Sequence, residues 1–88
     1  MAVYLVTYDL IRPDQNYDKV INEIKKLGDW IHPLESTWLV HTSHKALPIC
    51  THLMNFIDGN DKLLVTQFTD DSAWKNIPRL AEWLKGKV

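Results

Sequence analysis

The sequence predicts one small α+β domain, built as strand, helix, strand, strand, helix, strand, with a further helix after the last strand. Three observations predict it. Four runs rich in β-branched and aromatic residues alternate with segments whose apolar residues recur at helical spacing. Turn formers at Arg12-Pro13-Asp14, Pro33-Leu34-Glu35-Ser36 and Asp58-Gly59-Asn60-Asp61 separate the runs. A chain of 88 residues leaves room for a single core, so the whole span 1–88 reads as one domain.

The first run, Ala2 to Leu10, is apolar on both parities: Val3 and Leu5 on one, Tyr4, Val6, Tyr8 and Leu10 on the other. A strand of that kind belongs at the centre of a sheet covered on both faces. Tyr17, Val20, Ile21, Ile24 and Leu27 then form a helical stripe with charged residues outside it and Gly28 in the stopping position. From Trp30 to Thr42 a short strand, a turn and a longer strand through Thr37-Trp38-Leu39-Val40-His41 make a hairpin. A second helix starts near Ser43 or Leu47, with Leu47, Cys50, Leu53, Met54 and Ile57 as its buried stripe and Pro48 confined to its first turn. Lys62 to Thr69 is the fourth strand. Asp70-Asp71-Ser72 offers capping oxygens for a third helix over about 72–87, carrying Trp74, Ile77, Leu80, Ala81 and Leu84, with Pro78 able to split it.

This order over residues 2 to about 69 is the ferredoxin-like βαββαβ sandwich, here with an added C-terminal helix. Right-handed crossovers put the two long helices on one side of the sheet. The second face must then be covered by the third helix or by the sheet of a partner chain. A domain this small buries only about 60–65% of the surface its unfolded chain exposes, which favours a homodimer.

Composition narrows the function. Ten basic against eleven acidic residues give a formal net charge of −1, which excludes a protein that wraps nucleic acid through a broadly basic surface. One cysteine, Cys50, excludes an intramolecular disulfide and fits a reducing cytoplasm. The opening Met-Ala-Val-Tyr-Leu-Val has no basic n-region and soon meets Thr7 and Asp9, so it reads as neither a signal peptide nor a membrane span.

Chemistry concentrates at the end of the first strand. With the third strand expected to run parallel beside the first, Asp9 would share a sheet edge with His41, Thr42, Ser43 and His44. Asp9 then either satisfies backbone donors of its own loop or, doubled across a two-fold axis, holds a hard cation such as Mg²⁺ or Mn²⁺. His41 or His44 would be an acid or base, or a surface histidine at a strand end. The His41/His44 and Cys50/His52 spacings do not make a structural zinc site, and Cys50 falls on the apolar stripe, where a thiol packs. Of the four tryptophans, Trp38 lies mid-strand, where it would stack a base if exposed and pack in a core or interface if not.

Val3-Tyr4-Leu5-Val6-Thr7-Tyr8-Asp9-Leu10 resembles the opening of the small CRISPR-associated endonucleases that form the dimeric core of the spacer-integration complex, whose hydrophobic first strand ends Tyr-Asp-(Ile or Leu). Ser36-Thr37-Trp38 resembles the same family's Ser-Val-aromatic segment, although Leu39 stands where an acidic residue is common. The virulence-associated protein D ribonucleases share the fold. The resemblance covers residues 2 to about 69 and stops at Asp70. It implies a homodimer in which two copies of Asp9 face each other, bind Mg²⁺ or Mn²⁺ and activate water against a phosphodiester of RNA or DNA. Tyr8, Arg12, Ser36, Thr37 and Trp38 would then bind substrate, and His41 would assist catalysis. The alternative is a non-catalytic dimeric adaptor or nucleic-acid scaffold in a defence or toxin system, with a protein partner from that system.

Overall fold

The computed structural model describes residues 1–11 and 17–88. Among them are four strands, β1 (Ala2–Asp9), β2 (Asp29–Leu34), β3 (Thr37–Thr42) and β4 (Lys62–Phe68). Three helices accompany them, α1 (Tyr17–Lys25), α2 (Ala46–Leu53, continued by a 3₁₀ turn at Met54–Phe56) and α3 (Leu80–Leu84). The turn expected at Arg12-Pro13-Asp14 lies outside the described residues.

The strands form one antiparallel sheet in the order β2-β3-β1-β4. Strand β1 is central, as its two-sided apolarity requires. Its neighbour β3 runs antiparallel to it, with Ala2 opposite Thr42 and Thr7 opposite Thr37. The expectation of a parallel β1/β3 pair is therefore wrong. The crossover through α1 returns β2 parallel to β1, and the β2/β3 hairpin inserts β3 between them in the reverse sense.

Helices α1 and α2 cover one face. Tyr4, Val6 and Tyr8 of β1, Leu10 just after it, and Trp38 and Val40 of β3 are enclosed there with Val20, Ile24, Ile49 and Leu53. On α2 the buried residues are Ile49 and Leu53, while Leu47, expected in the core, is 76% exposed and Met54 also faces out. Cys50 is half-buried at the margin of this stripe. Pro48 does sit in the first turn of the helix, where its missing N–H costs nothing. Gly28 has a definite duty between α1 and β2: a Cβ there would collide with the main-chain carbonyl of His41. The strand can enter the sheet beside β3 only because that atom is absent.

The opposite face is organised in rows across the strands. Asp29, His41, Val3 and Phe68 form one row, and Ile31, Leu39, Leu5 and Thr66 the next. Helix α3 lies over these, packing Leu80 and Leu84 on Val3 and Leu39 with Ile77 and Trp83 at the margin. This helix is much shorter than the expected span of about 72–87. Pro78 forbids a helical residue before it, and Asn76 (φ 61°) and Arg79 (φ 70°) are both left-handed, so no continuous helix passes through them. Trp74 accordingly falls outside the helix and is 41% exposed. At the other end the Lys87 ammonium donates to the Trp83 carbonyl at 2.7 Å and lies 3.5 Å from Asp29 at the start of β2, fastening the helix to the sheet. Among the described residues no helix is long and apolar enough to cross a membrane.

Candidate functional site

The third row of the second face is left uncovered by α3. It consists of Leu34, Thr37, Thr7 and Leu64, one residue from each strand, and its outer leucines are 55% and 58% exposed. Beyond it on the same face lie Asp9 and, directly across on β4, Lys62. A shallow hollow of about 200 Å³ opens here between β1 and β4, lined by Thr7, Asp9, Lys62 and Leu64.

The backbone around Asp9 is held firmly. Thr7 Oγ1 donates to the Ser36 carbonyl at 3.1 Å and lies 3.0 Å from the Thr37 hydroxyl. The Tyr8 N–H donates to the same Ser36 carbonyl at 3.1 Å. On the helix-covered face the Trp38 indole N–H donates to the Tyr8 hydroxyl at 3.2 Å, a buried cross-strand tether that satisfies the indole. Tyr8, Ser36, Thr37 and Trp38, which the family resemblance names as substrate-binding, lie at this end of the sheet because β1 and β3 are antiparallel; the parallel pairing expected from the sequence would have put Ser36 and Thr37 at the other end.

Their surfaces are not all open. Trp38 is 2% exposed, with His32 stacked flat on it at 3.8 Å and Trp30 edge-on at 5.2 Å, so its ring is core and offers no base-stacking face. Tyr8 is also buried. Ser36 is exposed and Thr37 half-buried. Arg12 lies outside the described residues.

Because β1 and β3 are antiparallel, His41 pairs with Val3, six residues along β1 from Asp9. At ~3.4 Å per residue the separation is about 20 Å. His44 and Ser43 follow His41 at that far end, where the His44 amide donates to Thr42 Oγ1. Asp9 and His41 therefore do not share one sheet edge, and the cluster expected around them does not form.

Asp9 itself is exposed, and among the described residues its carboxylate makes no hydrogen bond or ion pair. Most of the loop after Asp9 lies outside the described residues, and the backbone donor at its start is capped by Asp61. That carboxylate accepts the Ile11 N–H through Oδ1 at 3.0 Å and the Asp58 N–H through Oδ2 at 2.8 Å, tying the chain just after β1 to the turn before β4. The Asp58-Gly59-Asn60-Asp61 turn signal was visible in the sequence, but the reach of its last residue across to Ile11 depends on the β1/β4 pairing.

A second polar cluster, which sequence reasoning missed, joins α1 to α2. Glu23 accepts from Lys26 at 2.8 Å and lies 3.0 Å from His52 Nε2. The Lys26 hydrogen bond first and the His52 contact second hold the Glu23 carboxyl below its ordinary value. Among the described residues no three His, Cys, Asp or Glu side chains converge as a metal-binding group. One exposed carboxylate per chain suits only a hard cation that keeps most of its waters.

No family model matches the chain, and no solved structure matches it.

Proposed function

We propose that this chain is a ferredoxin-like homodimer that resembles the small CRISPR-associated endonucleases and cleaves RNA or DNA phosphodiesters with Mg²⁺ or Mn²⁺. The observation that carries this reading is the state of Asp9: an exposed carboxylate without a structural partner among the described residues, at the end of the central strand and beside an uncovered row of the sheet. Asp61, by contrast, is engaged by two backbone donors. Two-fold packing of the open row, with Leu34 and Leu64 removed from water, would bring two copies of Asp9 to one axis. The paired Asp9 carboxylates would hold a largely hydrated divalent ion, which would supply a water of lowered pKa. Lys62 beside each carboxylate adds positive charge for the phosphate.

The test is Asp9→Asn, which keeps the shape and removes the charge. Purified wild type and variant are compared on single-stranded RNA and double-stranded DNA with Mg²⁺, Mn²⁺ or chelator, and by light scattering. Loss of metal-dependent cleavage with the dimer intact supports the proposal; equal cleavage in both proteins, or a wild-type mass near 10 kDa, overturns it. One observation favours the non-catalytic adaptor as the second reading: His41 pairs with Val3 at the far end of β1, so the acid-base partner expected for Asp9 does not stand beside it. Cleavage by neither protein, with the dimer present, selects that reading.

A further inference from the structure

The sheet has two outer strands, β2 and β4, and only one of them is protected against further pairing. On β2, Pro33 lacks an N–H and the register shifts between Ile31 and Leu34, so a regular strand cannot be added there. β4 has neither device. Its seven residues, Lys62 to Phe68, include no proline or glycine, pair with β1 in unbroken register and carry a single charge at the first position. An edge so regular and so apolar is a template for another strand.

Which main-chain groups that edge offers follows from one hydrogen bond. The Tyr8 N–H donates to the Ser36 carbonyl, on the β3 side of β1. Main-chain groups alternate sides along a strand, so Val3, Leu5, Thr7 and Asp9 turn theirs toward β4. Their partners Phe68, Thr66, Leu64 and Lys62 are engaged by that ladder. Leu63, Val65 and Gln67 pair with Tyr8, Val6 and Tyr4, so their side chains lie on the face covered by α1 and α2. Their N–H and C=O groups point outward, where no strand among the described residues meets them.

We propose that this edge pairs with the same edge of a second copy of the chain, antiparallel about a two-fold axis at Val65, joining two sheets into one. The outward-facing residues are spaced symmetrically about Val65. Val65 therefore meets Val65 of the second copy and Leu63 meets Gln67, and every outward N–H and C=O finds a partner. Charge favours the same arrangement. Lys62 comes opposite Phe68 of the second copy, so at ~3.4 Å per residue the two lysines stand about 20 Å apart. An in-register parallel pairing would set them side by side, where like charges repel. Leu64, which is 58% exposed, comes opposite Thr66 and gains a β-branched neighbour across the new ladder. An unrelated peptide would satisfy the main-chain groups alone, whereas the symmetry about Val65 and the separation of the lysines belong to a second β4.

This contact goes beyond the packing of the open row. It lies in the plane of the sheet, and Asp9, opposite Lys62, is away from its axis. Amide hydrogen exchange of the full ¹⁵N-labelled chain reads the edge residue by residue. With the edge bare, Leu63, Val65 and Gln67 exchange fast between the protected amides of Leu64, Thr66 and Phe68; edge pairing is expected to slow those three at least about tenfold and give an unbroken protected run. In a mixture of labelled and unlabelled chains, an isotope-filtered NOE is expected between Hα of Leu64 and Hα of Thr66 of the second copy, because residues opposite each other without mutual hydrogen bonds approach most closely. Gln67→Pro removes an outward N–H that β1 does not use, so it is expected to restore fast exchange at Leu63 and Val65 while the β1/β4 ladder stays protected. An alternating pattern at chain concentrations up to about 1 mM, no such NOE in the wild type, or slow exchange persisting at Leu63 and Val65 in folded Gln67→Pro overturns the proposal. Packing through the open row alone leaves the edge amides fast, and Asp9→Asn leaves them slow, which separates failure of this proposal from failure of the nuclease reading.

Discussion

The two faces of this sheet are covered by unequal means. On one, α1 and α2 enclose Tyr4, Val6, Tyr8, Leu10, Trp38 and Val40 in a continuous core. On the other, a five-residue helix covers Val3 and Leu39 and leaves the row Leu34, Thr37, Thr7 and Leu64 open. A helix that short has too few internal hydrogen bonds to form alone, so α3 exists because Leu80 and Leu84 pack and because Lys87 fastens its end. The comparison teaches that an apolar strand needs two covers but not two equal ones, and that the thinner cover leaves Leu34 and Leu64 in water.

The largest effect is expected from removing the thin cover. Truncation after Asp71 exposes Leu80's and Leu84's partners and is expected to cost about 3–6 kcal/mol, two large side chains at ~1.5–3 kcal/mol each. Urea denaturation measures it, and an unchanged midpoint would show that the face is stable bare. On the thicker side, Leu53→Ala is expected to cost about 2–5 kcal/mol, because Leu53 is fully enclosed between α2 and the sheet. Tyr8→Phe removes the acceptor of the Trp38 indole and is expected to cost about 1–3 kcal/mol by leaving a buried donor unpaired. Leu64→Ala sharpens the comparison from the open side. In a monomer it changes stability by no more than about 0.5 kcal/mol, so a larger loss that grows on dilution identifies Leu64 as part of an interface.

The smallest effect is a pH dependence confined to the helix side. Lys26 and His52 depress the Glu23 carboxyl in the folded chain, so its contribution is present above the ordinary carboxylate value of 4.5 and is lost as pH falls through the lowered folded value. Glu23→Gln is expected to flatten that acid limb in thermal melts between neutral and acid pH. An identical limb in the variant would assign it to other carboxylates.

What could be read from the sequence follows from how much contrast each segment carries. β1 was legible as central because both parities are apolar, and α1 because charged residues flank a clear stripe. On α2 the contrast fails: Ala46-Leu47-Pro48-Ile49-Cys50 is apolar all round, so spacing could not choose between the Leu47/Cys50 face and the Ile49/Leu53 face, and only packing against the sheet decides. The C-terminal segment misled in a different way. Trp74, Ile77, Leu80 and Leu84 have helical spacing, but left-handed Asn76 and Arg79 around Pro78 break the path; Asn76 and Pro78 hinted at a break, whereas positive φ at an arginine leaves no compositional mark. The candidate site was half legible. Tyr8, Asp9, Ser36 and Thr37 converge because of strand register, whereas His41 was assigned to the wrong end by taking β1 and β3 as parallel. Asp61 and Glu23 escaped notice because their partners sit on elements distant in sequence.

The pairing of Val3 with Phe68 at one end of the central strand has a consequence for synthesis. Of the four strands, the first to be made is the one whose final neighbour is made last. At ~5–20 residues per second, β1 waits roughly 3–12 s for β4. Throughout that interval it carries apolar side chains on both faces and lacks one of its two hydrogen-bonding partners. Its pairings are also long-range, which slows closure of the sheet even after the chain is complete. A circular permutation that places β4 immediately before β1 would shorten the wait while leaving the finished sheet the same.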